Sequence, residues 1–146
     1  MLTESKIQIA TTPEAAYGLT SQLERWPEFL PHYRSIHILD REPSSMTVKM
    51  SAWRDFLPVS WTSKFHADPD RLELHFYHLT AFTKGMEVVW TYSPVPDGVL
   101  ITIKHDLHFR IPFLATAIEP IIENYFIHHI ATKTLTTFKK ILEAHV

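Results

Sequence analysis

Proton transfer and metal ligation near neutral pH fall first to histidine, and this chain carries ten of them in 146 residues. Their spacing argues against a metal. His75-x-x-His78 and His105-x-x-His108 each send two rings to opposite faces of a strand, and the adjacent His128 and His129 diverge on a helix. No pair has the i, i+4 helical or i, i+2 strand spacing that aims two imidazoles at one ion. A metal site would have to be assembled across elements, from His105, His129 and Glu123 or Asp106. The expectation is therefore no metal and no cofactor.

Other chemistries are excluded by composition. There is no cysteine, hence no disulfide, thiolate zinc site or Cys nucleophile. The three glycines, Gly18, Gly85 and Gly98, lie too far apart to cradle a phosphate. With 14 Lys and Arg scattered against 16 Asp and Glu, the chain lacks the basic footprint of a nucleic-acid binder. No apolar run approaches the ~18 residues of a membrane span. These features fit one soluble, cytoplasmic domain over residues 1–146, touching a membrane only transiently if at all.

What remains is apolar and aromatic: 4 Trp, 5 Tyr and 9 Phe. Strand periodicity decides where they point. Lys6 to Ala10 alternates, with Ile7 and Ile9 on one side. From Ser35 to Phe109 the period is two, broken by turn signals at Arg41–Ser45, Asp68–Arg71 and Pro94–Gly98, which reads as six strands in an antiparallel meander. Pairing Ala67 with Leu72 puts Val59, Trp61 and Phe65 on the same face as Leu72, Leu74 and Phe76. Pairing Tyr92 with Val99 does the same for Met86, Val88, Trp90 and Tyr92 and for Val99, Ile101, Ile103, His105 and Leu107. His105, and with it His78, thereby falls among apolar side chains.

Helical signals flank the meander. Thr12 caps a helix that starts with Pro13 and carries Ala15, Ala16, Leu19 and Leu23 on one face. Trp26-Pro-Glu-Phe-Leu-Pro-His-Tyr33 is a short aromatic turn, since its prolines forbid a long helix. Past Ile111-Pro112 the period becomes helical, and Ile118, Ile121, Ile122, Tyr125, Phe126, Ile130, Phe138, Ile141 and Leu142 trace one stripe. A helix from Glu119 to Ala144 would be roughly 39 Å long, about the diameter of a compact chain of this size. The arrangement expected is α+β: a curved antiparallel sheet of about seven strands wrapped around a long C-terminal helix, with two short helices after the first strand.

That order is the helix-grip order, and the chain resembles the START-like superfamily in its polyketide cyclase/dehydrase and coenzyme Q-binding branch. The resemblance rests on Trp26-Pro-Glu-Phe-Leu-Pro31, Leu57-Pro-Val-Ser-Trp61, Asp68-Pro-Asp-Arg71, Phe82-Thr-Lys-Gly-Met86 with Trp90 following, and Ile111-Pro-Phe113. It implies an apolar cavity between sheet and long helix that holds a lipid, quinone or polyketide-like molecule, and leaves cyclase, aromatase or dehydratase activity as the alternative. On this frame the candidate ligand-binding residues are Trp61, Phe76, His78, Met86, Val88, Trp90, Tyr92, Ile103 and His105 from strands, and Tyr125, Phe126 and His129 from the helix. Phe29, Trp53 and Phe56 are expected at the mouth. His105 is the candidate catalytic residue, able to orient a carbonyl or act as a base. The competing reading makes it a core histidine satisfied by Tyr92, Thr91 or a helix side chain.

Overall fold

The computed structural model describes residues 1–81, 83–108 and 120–144, so Phe82, Ile111-Pro-Phe113, Ile118 and Glu119 lie outside the described residues. The alternating segments form strands β1 (Leu2–Ile9), β2 (Tyr33–Arg41), β3 (Met46–Arg54), β4 (Leu57–Asp68), β5 (Glu73–His78), β6 (Glu87–Val95) and β7 (Gly98–Asp106). They make one antiparallel sheet in the order β1-β7-β6-β5-β4-β3-β2. Strands β2 to β7 are thus a hairpin-by-hairpin meander, and β1 pairs onto its last member.

Both predicted hairpin registers are off by two residues. Ala67 pairs with Leu74, not Leu72, and Tyr92 pairs with Ile101, not Val99. In each case the turn sits one residue further along, and a one-residue slide of a turn moves the register by two. Because side chains alternate with period two, the buried sets keep their faces. Leu74, Phe76, Val88, Trp90, Ile101, Ile103 and His105 are all buried.

Helix α1 (Pro13–Thr20) opens as expected, with the Thr12 side chain accepting from the Ala15 amide and Pro13 in the first turn. Its buried face differs from the predicted one: Ala15 is exposed, whereas Ala16, Tyr17 and Thr20 are buried. The polar pair finds partners. Thr20 Oγ1 donates to Ala16 O and accepts from Tyr92 Oη at 2.5 Å, and the Tyr17 ring meets the Tyr92 ring edge-on. A 3-10 turn (Leu23–Arg25) and α2 (Trp26–Phe29) follow.

The C-terminal helix contains two geometries. Ile121–Ile127 is π-helical and runs directly into α3 (His128–Ala144). Its i→i+5 bonds take an extra residue per turn, so a stripe counted at 3.6 residues drifts off the core. Ile121 and Tyr125 are accordingly exposed, while Ile122, Ile127, Ala131, Leu135, Phe138 and Leu142 are buried. No helix of the described residues is long and apolar enough to cross a membrane.

Candidate ligand cavity

The helix does not fill the space under the sheet. A cavity of about 90 Å³ lies between them. Met50, Val59, Trp61, Phe76, Val88, Trp90 and Ile103 line it from the inward faces of β3 to β7. Phe126 and Ile127 of the π-helical segment and Ile130, Ala131 and Thr134 of α3 line it from the other side. Trp26 of α2 and Tyr33 at the start of β2 add to the lining, and Ala81, Thr83 and Met86 border it from the β5–β6 connection. Trp26 anchors this wall: its Nε1 donates to Thr20 O at 2.9 Å, and its ring lies within 6 Å of those of Tyr33, Phe76, Trp90 and Phe138. Aromatic pairs at such spacings add to area burial.

Two histidines face the apolar space, both on the lining. His78 stacks on Trp61, with ring centres 5.7 Å apart and planes 7° from parallel, and its Nδ1 lies 2.7 Å from Thr83 Oγ1. Burial pushes its pKa down to about 4. His105 is driven down to about 3, mainly by burial and secondarily by His78. Both rings are therefore neutral at pH 7. His105 Nδ1 is buried with no hydrogen-bond partner. Tyr92 Oη is committed to Thr20, so the partner required by the core-histidine alternative is not supplied from there.

Nine of the candidate residues line the cavity: Trp61, Phe76, His78, Met86, Val88, Trp90, Ile103, His105 and Phe126. The other six do not. Tyr92 is buried at the α1 end of the sheet, two residues beyond Trp90. Tyr125 points outward beneath the Arg54 guanidinium, which lies 4.1 Å from its ring centre while Nε donates to the Tyr125 carbonyl. His129 faces the β3–β4 tip, with Nε2 4.0 Å from Asp55 Oδ1, and its pKa is lowered by burial and by Arg54. Phe29 packs edge-on against Phe138. Trp53 and Phe56 border a separate outer cleft with Pro31, His32, Asp55, Lys133 and Thr137.

That cleft corrects the expected mouth. Arg54 pairs with Leu57, so Asp55 and Phe56 form a two-residue turn, with Asp55 at φ 55° and the Phe56 side chain almost wholly exposed. Sequence reasoning missed Trp26, Met50, Ala131 and Thr134 as lining residues, and also missed His32. The last is buried with Nε2 2.8 Å from Thr134 Oγ1, and burial followed by the Lys133 charge lowers its pKa to about 4. The β3 alternation of Val48, Met50 and Ala52 was a legible signal for Met50; nothing in the spacing marked His32.

Among known proteins, residues 9–126 match the family model for polyketide cyclase / dehydrase and lipid transport. The chain belongs to that family. A relative from Streptomyces cyaneus described as "Putative polyketide cyclase" is 33% identical to this cyclase/dehydrase-family chain over 99 residues, 66% of this chain and 65% of the relative. The family member thus spans somewhat less than two thirds of that relative's length. A crystal structure of TTHA0849 from Thermus thermophilus superposes with a TM-score of 0.82 at 17% identity, covering 99% of both chains. A START superfamily protein from Mycobacterium smegmatis gives 0.76 at 13% identity over 99% of both. The helix-grip fold is thereby shown for this cyclase/dehydrase-family protein.

Proposed function

We propose that the cavity binds a hydrophobic small molecule carrying a carbonyl group. The observation that carries this is a pair of neutral imidazoles, His78 and His105, set in an otherwise apolar, largely aromatic wall. Apolar burial supplies affinity, about 25 cal/mol per Å² removed from water, and the imidazoles set orientation.

The two rings differ in what they offer. A neutral imidazole has one N–H. Placing it on His105 Nδ1 would strand a buried donor, the rarer and costlier kind of orphan. The proton accordingly belongs on Nε2, and His105 presents a donor whose complement is a carbonyl oxygen. His78 is adaptable: the Thr83 hydroxyl can donate to its Nδ1 or accept from it, so Nε2 offers either a lone pair or an N–H.

Size-matched single-ring probes test this. Acetophenone is expected to bind about 3- to 10-fold tighter than ethylbenzene by isothermal calorimetry, the worth of one hydrogen bond. His105→Phe should abolish the preference while keeping ethylbenzene affinity. Failure of both probes to bind overturns the cavity reading, and a preference that survives His105→Phe overturns the donor assignment.

A second reading, cyclisation or dehydration of a polyketide-like chain, is favoured by the His78–Thr83 bond and by the name of the Streptomyces cyaneus relative. There His105 would hold an oxygen as negative charge grows on it and His78 would carry the proton, so His78→Ala costs about 10² to 10⁴ in turnover of a poly-β-ketone thioester. Unchanged turnover removes His78 from the chemistry.

A further inference from the structure

The outward face of the sheet carries a second pair of histidines that the cavity does not use. His66 on β4 and His75 on β5 are directly opposite one another, with ring centres 6.0 Å apart and planes inclined by 39°. Each ring has one nitrogen engaged. His66 Nδ1 lies 2.5 Å from Ser44 O, and His75 Nε2 lies 2.9 Å from Glu73 Oε1. A backbone carbonyl and a carboxylate can only accept, so both of those nitrogens donate. In the neutral rings this leaves the lone pairs on His66 Nε2 and His75 Nδ1. Metal-ligating histidines are held in this way, with the far N–H tied to a carbonyl or carboxylate that fixes tautomer and ring plane.

The spacing admits a shared ion with the two imidazoles close to trans across it. Metal–nitrogen bonds of about 2.0–2.1 Å, plus roughly an ångström from nitrogen to ring centre on each side, allow two ring centres on one ion to lie up to about 6.3 Å apart. The rings sit within that limit and border one open surface cleft, together with Tyr77, Glu87 and Lys64. Lys64 is itself paired with Glu42 at 3.5 Å. We propose that His66 and His75 form a surface site for a divalent transition ion of the imidazole-preferring class, with Cu(II) held more tightly than Ni(II) or Zn(II). No group of three or more histidines and carboxylates among the described residues is placed to hold an ion, so water completes the coordination shell.

Tag-free, metal-stripped full-length chain titrated with Cu(II) in a non-coordinating buffer tests the site. One copper per chain is expected beyond what the His66→Ala/His75→Ala double variant binds, with an electron paramagnetic resonance spectrum showing two imidazole nitrogens. Each single substitution should weaken that copper at least 10-fold. Glu73→Ala, which leaves both ligands in place, should weaken it by about 10-fold or more through lost orientation of His75. Equal binding by the double variant, or a spectrum with one nitrogen, overturns the proposal.

Discussion

Lowering the pH from 6.5 towards 4 is expected to unfold the protein cooperatively, with a slope set by three buried histidines. Burial holds His32 and His78 near 4 and His105 near 3, whereas the same side chains in the unfolded chain titrate near 6.5. Below pH 6.5 the unfolded chain therefore binds protons that the folded one refuses, and stability present above 6.5 is lost as pH falls through this window. Each such histidine steepens the dependence by up to about 1.4 kcal/mol per pH unit. Three together amount to about 4 kcal/mol for each pH unit, against a total stability on the order of 5–15 kcal/mol. Urea titrations at pH 7, 6, 5.5 and 5 should show the midpoint dropping throughout. His78→Phe should flatten the slope by about a third. Constant midpoints from pH 7 to 5 would show that these rings are protonated in the folded state or exposed to water.

Gly98→Ala should be among the most damaging single substitutions in the chain. Gly98 begins β7 at φ +156°, and a Cβ built there would lie 2.0 Å from the carbonyl oxygen of Ile9 and 3.0 Å from its carbon. Both are backbone atoms of a fully buried residue that pairs with Val99. No rotamer relieves such a clash; β1 must move away from β7. We expect a loss of about 3–5 kcal/mol, in the range reserved for specific structural lesions, read as a lowered urea midpoint. Gly18→Ala is the matched comparison. Gly18 is an exposed residue of α1 with nothing within 4 Å of the added carbon, so the change should be neutral or stabilising by up to about 1 kcal/mol. Similar midpoints for the two variants would refute the close approach at Gly98.

Which side chains face inward is legible because parity survives error. The Asp68–Arg71 and Pro94–Gly98 turns are each misplaced by one residue, yet Trp61, Phe76, Trp90 and His105 keep their face because the register moves by two. Helical faces have no such protection. A period of 3.6 residues turns Tyr125 inward, and the π-helical geometry of Ile121–Ile127 turns it out to meet Arg54. Position along a strand is equally hidden: Tyr92 has the right face but lies beyond the cavity's end. His32 follows a proline in an irregular connector, where no period exists to read. The His66–His75 pair escapes for a different reason. Spacing within one element reveals ligands i, i+2 or i, i+4 apart, whereas a cross-strand pair depends on the register across the Asp68–Glu73 turn.

The attachment of β1 has a kinetic consequence. The hairpins from β2 to β7 close over short turns, but Ile9 meets Val99, ninety residues later in the chain. Such distant pairing must overcome its loop-closure entropy before any contact rewards it. Strand β1 is therefore expected to join last during folding, onto a meander already formed. In stopped-flow refolding, weakening β1, for example with Ile9→Ala, should speed unfolding far more than it slows folding.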